Sequence, residues 1–225
     1  IRVRRVQIGR PGAVHVKGVI DAAEGWDGYI APTVGSADNL VLPSPKTRLE
    51  ILDIPALPSD SQDVLKLRFV ACGIAEGWKG ATLVRVMSSG DDEQLLSMDA
   101  AATIGSAVNV LGTGISEVFD EINSVDVALL GTATLANATE RSVLDGANVA
   151  VLGNEVIQFK NATQLGANLY RLSGLLRGRL GTESAIAGHI VGERFVLLDD
   201  AVRSLAIPVS NIGQNWTIRA VSFGD

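Results

Sequence analysis

The chain is built from short segments in which apolar and polar residues alternate, each cut off by Gly, Pro, Asn, Asp or Ser. A period of two puts every second side chain on one face, as a strand with one buried face requires, and the turn residues recur at hairpin intervals. The pattern is clearest between Asn154 and Leu198. Val156 to Phe159, Leu169 to Leu176 and Arg194 to Leu198 are separated there by glycine-punctuated turns, and Arg177-Gly178-Arg179 sits between them. Ile1 to Ile8, Val14 to Ile20, Arg48 to Ile54, Val64 to Val70, Ala81 to Met87, Asp126 to Leu130, Val149 to Leu152 and Trp216 to Val221 read the same way. The expected class is all-β: an antiparallel sandwich or barrel region with an N-terminal hairpin and linker and very little helix.

Individual segments sharpen this. In Val64 to Val70, Leu65, Leu67 and Phe69 share one face while Lys66 and Arg68 share the other, which predicts a strand buried on one side. Arg10-Pro11-Gly12 falls between the first two strands and favours a turn joining them. Tyr29 to Pro45 is rich in Pro, Gly, Ser, Asp and Asn, which suits an extended connector and places a boundary near Pro45. Residues 1–45 are therefore read as a hairpin plus linker, and 46–225 as an all-β region of one or two subdomains. The helix candidates are brief: Glu140 to Asp145, closed by Gly146, and Thr182 to Ala187, where Thr182 can cap and Gly188 can terminate. Ala100 to Gly114 is small and glycine-rich, and reads as irregular strand.

At 225 residues with 47% hydrophobic and only 4% aromatic residues, the chain can bury a real core, filled by Val, Leu, Ile and Ala. A formal charge of −6 argues against a surface that tracks nucleic acid, because phosphate binding needs a concentrated positive field. No uninterrupted apolar run of about 18 residues marks a spanning helix, so no membrane insertion is expected. The lone Cys72 cannot form an intrachain disulfide and sits in an apolar run.

The parts of an active site are scarce. His15 and His189 are the two histidines, and neither has a neighbouring His or Cys with which to hold zinc. Asp91, Asp92 and Glu93 fall in a hairpin loop without the alternating ligand spacing of a calcium loop. Gly174, Gly178 and Gly181 lack the Gly-Lys-Ser/Thr ending of a phosphate cradle. No catalytic, metal or cofactor-binding residue is assigned, and the chain is expected not to be an enzyme. Trp26, Trp78 and Trp216 are candidate glycan or interface contacts through ring stacking, with Arg177 and Arg179 as further candidates.

Three stretches carry a resemblance: GNEVIQFKNA at Gly153 to Ala162, YRLSGLLRGRLGTE at Tyr170 to Glu183, and AGHIVGERFVLLD at Ala187 to Asp199. Together they resemble the C-terminal domain of the tail-tip hub, or host specificity, proteins of siphophages and gene transfer agents. RLEILDIPAL at Arg48 to Leu57 and GWKGATLVRVMSSGDD at Gly77 to Asp92 are similar to the segment that precedes this domain there, and Ile1 to Ala23 to the closing strands of the preceding hub domain. Leu180 departs from the pattern, where a further basic residue is expected. The resemblance implies a virion component at the distal end of a tail tube, part of a homotrimeric hub that meets other tail-tip proteins and a host-surface glycan or receptor. It implies no cofactor. Leu172 and Leu175 would anchor strands, Gly178 would permit a tight turn, and Arg177 and Arg179 would pair with Glu183 or Glu193 or stand exposed. The rival reading is a carbohydrate-binding module for a bacterial envelope glycan.

Overall fold

The computed structural model describes residues 2–8, 14–19, 44–57, 60 and 64–224. The chain divides into two compact units, Ile1–Val41 and Leu42–Asp225. In the first, β1 (Arg2–Ile8) and β2 (Val14–Val19) pair antiparallel, with Arg2 opposite Val19 and Ile8 opposite Val14. The Arg10-Pro11-Gly12 turn and the connector as far as residue 43 lie outside the described residues.

The second unit holds two three-stranded sheets and a closed six-stranded barrel, all antiparallel. The chain first lays down β3 (Thr47–Leu52), β4 (Lys66–Gly73), β5 (Ala81–Val86) and β6 (Glu93–Met98). It then builds the barrel from β7 (Ile104–Ala107), β8 (Val125–Leu129), β9 (Val149–Leu152), β10 (Glu155–Gly166), β11 (Leu169–Arg179) and β12 (Arg194–Leu197). Finally β13 (Arg203–Ala206) returns to pair with β4, and β14 (Thr217–Ser222) with β5. The sheets are thus ordered β13-β4-β3 and β14-β5-β6, with the barrel, ordered β10-β11-β8-β7-β12-β9, inserted between their first and last strands.

β4 is the middle layer. Phe69 and Ala71 pack with Leu83 and Met98 of the other sheet, while Val70 and Cys72 pack with Ile104 and Val196 on the outside of the barrel. The expectation of a single buried face is corrected here. Apolar matter covers the strand on both sides, as its unbroken buried run from Arg68 to Gly73 records. Arg68 is buried too and ion-paired with Asp60, whose carboxyl is held below its ordinary range chiefly by the hydrogen bond from Lys66 at 2.8 Å. Burial pushes the Cys72 thiol up to about 11, so it stays protonated and inert.

Inside the barrel, Val125, Val127 and Leu129 of β8 alternate inward and meet Leu152, Ile157, Phe159, Leu172, Leu175 and Phe195. On β11 the inward positions switch from even (Tyr170, Leu172) to odd (Leu175) across Gly174, which has φ +62°. β7 needs a glycine at its second position. A Cβ on Gly105 would lie 2.4 Å from the Ala128 carbonyl oxygen, so only glycine lets β7 lie against β8. The one α-helix among the described residues, α1 (Glu140–Leu144), begins where Thr139 Oγ1 accepts from the Ser142 N–H at 3.2 Å and ends before Gly146 at φ +102°.

Candidate functional site

The barrel has an apolar interior and a charged mouth. Glu155, Ile157 and Phe159 share parity on β10, so a carboxylate stands in line with two core side chains, and all three are fully buried. Facing it is Arg177, in line with Leu175 on β11 and also without exposed surface. A regular strand would turn Arg177 and Arg179 the same way. The pairing instead slips between Val156 opposite Arg179 and Gln158 opposite Leu176, leaving Arg177 and Gly178 across from Ile157 alone. This β-bulge needs Gly178, at φ +59°, where a Cβ would approach the Glu183 Cα to 2.9 Å. The bulge sends Arg177 into the mouth and Arg179 outward.

Arg177 spends its donors on several partners. Its Nε and Nη2 both donate to Glu155 at 2.9 Å, and its Nη1 donates to the Gly112 carbonyl at 2.9 Å and to Asp120 Oδ2 at 3.3 Å. Nη2 also donates to the Ile186 carbonyl at 3.3 Å. The Gly178 N–H donates to Glu155 Oε1 at 2.6 Å. His189 completes the set, its Nε2 lying 2.6 Å from Glu155 Oε2 and its Nδ1 2.7 Å from Glu193 Oε1. Arg177 and His189 thus face three carboxylates, in a place where unpaired charge is very costly.

Electrostatics follow the geometry. Burial alone would raise the Glu155 carboxyl, but the hydrogen bonds from His189 and Arg177 outweigh it and hold the group below its ordinary 4.5. Burial would lower His189, but the hydrogen bonds to Glu155 and Glu193 prevail and raise it above 6.5. Asp120 is likewise lowered, burial being overcome by the Asn123 backbone and side-chain donors, with further help from Ile122 and Arg177. A lowered carboxyl stabilises the fold above its unfolded value and loses that contribution as pH falls through its folded value; a raised imidazole stabilises below its unfolded value and loses it as pH rises through its folded value. Both contributions are complete between about pH 4.5 and 6.5 and fail on opposite sides of that window.

The mouth is closed by Gly112–Asn123, which bridges to β11 through the Asp120–Leu175 pair, and by the loop 180–193. Thr182 ties that loop down. Its hydroxyl accepts from the Val156 N–H at 2.9 Å and donates to the Arg179 carbonyl at 2.8 Å. Its expected capping role is therefore corrected: a 3₁₀ turn, Glu183–Ala185, does follow it, but its side chain makes no cap hydrogen bond because β10 and β11 already use it. Thr182→Val should cost about 1–3 kcal/mol by stranding the Val156 N–H, read as a shift in the denaturation midpoint. A pocket of about 590 Å³ opens beside the network, with Thr182, Ser184, His189 and Glu193 among its lining residues.

Both His189 nitrogens face carboxylates, and the Thr182 hydroxyl accepts one hydrogen bond and donates another.

The expected contact residues fall in separate places. Arg177 is buried, so it is corrected from a surface contact or a partner of Glu183 or Glu193 to the partner of Glu155 and Asp120. Arg179 is exposed, and its Nε donates to Gln158 Oε1 at 3.1 Å; Gln158 in turn donates to the Val143 and Ala147 carbonyls and holds α1 to the barrel wall. Trp26 lies outside the described residues. Trp78 packs on the core between the two sheets and donates its indole N–H to Thr47 Oγ1 at 2.8 Å. Trp216 lies at the other end of β5, under the Arg85 guanidinium at 4.0 Å. The two described tryptophans therefore form no common platform. Asp92 and Glu93 pair with Arg219 and Arg85. Glu155 and Asp120 are not singled out by the sequence, which weighs His189 only as a zinc ligand. The available signal was a charge in register with Ile157 and Phe159 on an otherwise apolar face.

Residues 102–196 match the family described as Rcc01698-like, C-terminal. No curated protein matches the chain. The matched span starts two residues before β7 and ends inside β12, so it takes in the barrel and every charged member of its mouth.

Proposed function

We propose that this chain is a structural component of a phage-like or gene transfer agent tail tip, the C-terminal portion of a hub protein that serves tail assembly and host-surface contact. The observation that carries this reading is the coincidence of the family match, residues 102–196, with the inserted barrel. The three resembling stretches fall on β10, β11 and β12 and supply Glu155, Arg177, His189 and Glu193. The shared sequence thus encodes a closed barrel with its mouth pinned shut, a device that suits permanence. On this reading the chain sits in the virion beside other tail-tip proteins, as a homotrimer in its parent polypeptide, and performs no catalysis.

Two experiments bear on this. Deleting residues 102–196 from the gene in the producing cell is expected to leave tails without a completed tip, whereas normal tails would contradict the assembly role. Incubating the purified chain with host peptidoglycan is expected to release no soluble fragments; turnover would sink the non-enzymatic reading. The carbohydrate-binding alternative predicts that Trp216→Ala abolishes retention on envelope polysaccharide. The stacking of Arg85 on that ring and the burial of its indole nitrogen favour a packing role instead.

A further inference from the structure

We propose that His189 is a proton-operated latch: as an imidazolium it ties the loop 180–193 to the barrel mouth, and on losing its proton it keeps Glu193, which belongs to the loop, and lets go of Glu155, so that the loop comes free. The stereochemistry demands the proton. Each ring nitrogen lies within 2.7 Å of a carboxylate oxygen, Nε2 at 2.6 Å from Glu155 and Nδ1 at 2.7 Å from Glu193. Ionised carboxylates only accept, so both nitrogens must donate, and only the doubly protonated ring can do so. A neutral ring would turn a bare lone pair towards a carboxylate at hydrogen-bond distance.

The charged groups around the ring come from every element that packs on it. Glu155 arrives from β10, Arg177 from β11, Glu193 from the approach to β12, and Asp120 from behind Arg177. Arg177 and the Gly178 N–H already satisfy Glu155. Glu193 is different: among the described residues its side chain has no hydrogen-bond donor other than His189.

The loop depends on this contact. Its start is fixed by Thr182 and by Arg177 on the Ile186 carbonyl, and its end by the Gly192 N–H on the Ala107 carbonyl at 2.8 Å. Between Ile186 and Gly192, the His189 ring supplies the hydrogen bonds to the barrel seen among the described residues. Ile190 and Val191 next to it are 65% and 59% exposed, so little apolar packing would hold that stretch once the ring lets go. Gly192, at φ +84°, marks the far end of the segment that would move.

The test is a pH series on the whole chain. The His189 ring proton, distinguished from that of His15 by His15→Gln, should titrate above 6.5 in NMR. Over the same interval, hydrogen exchange of the peptide 183–193, corrected for the intrinsic rate, should accelerate at least tenfold while strands β8 and β9 stay protected. In Glu193→Gln the side-chain amide can donate to the bare Nδ1 of the neutral ring, so that variant should show flat protection across the interval. Titration of His189 at or below 6.5, unchanging exchange in the native chain, or the same pH response in Glu193→Gln would each overturn the proposal.

Discussion

Replacing Arg177 by Met should destabilise the Leu42–Asp225 unit by about 3–5 kcal/mol, because the substitution leaves Glu155 and Asp120 buried without the cation that both face. For a unit of this size that is a fall in melting temperature of about 6–20 °C, measured by calorimetry near pH 6. Methionine fills much of the same volume, so the loss reports charge compensation and not a cavity. Arg177→Lys should recover only part of it, since an ammonium cannot give Glu155 a planar fork and reach Gly112 and Asp120 as well. Replacing Arg179 by Met should cost less than about 1 kcal/mol, because its side chain is exposed and makes one neutral hydrogen bond. Two arginines separated by one glycine are thus expected to differ several-fold.

Phe195→Ala should cost a comparable amount, about 3–5 kcal/mol, for an unrelated reason. Phe195 is fully buried inside the barrel, and its strand joins β7 to β9, with Gly105 on one side and Leu152 on the other. Removing the ring leaves a cavity that three strands must collapse into or tolerate. Chemical denaturation at fixed pH reads this as a lower midpoint. Ile122→Ala provides the control: the residue is 95% exposed, so a change within about 0.5 kcal/mol is expected. Cooperative loss of the barrel and both sheets together in the Phe195 variant would agree with the shared β4 layer, whose Val70 and Cys72 pack against the barrel wall.

Much of this architecture was legible in the sequence where alternation and capping chemistry are strong. Asp126 to Leu130 reads as a strand and covers most of β8, and the helix candidate Glu140 to Asp145, closed by Gly146, contains α1. β7 was obscured because the position that matters, Gly105, has no side chain to contribute to a pattern, and its role is to admit a neighbouring carbonyl. β13 is only four residues long, and its partner β4 lies far back in the chain, so the insertion of the barrel into a sandwich could not be read from local periodicity. The charged mouth was hidden by a register slip. Arg177 and Arg179 look equivalent on paper, and only the bulge at Gly178 sorts one inward and one outward. Burial of Glu155 was encoded by its parity with Ile157 and Phe159, yet a carboxylate directly after the Gly153-Asn154 turn reads first as a solvated hairpin end.

The resembling stretches acquire physical content in this light. They specify the two long strands, the bulge and the returning loop that place four of the five ionisable groups, all but Asp120, at one end of a closed barrel. The one cysteine, Cys72, is buried with its thiol held protonated and adds no crosslink within the chain.

The most direct measurement of the structural role is cryo-electron microscopy of tail particles purified from the producing cell, with mass spectrometry of the same sample. The chain is expected in the particles, with the six-stranded barrel fitting density at the distal tip and repeated around a threefold axis. Particles that contain complete tips but lack this chain, with the protein found free in the cell, would contradict it.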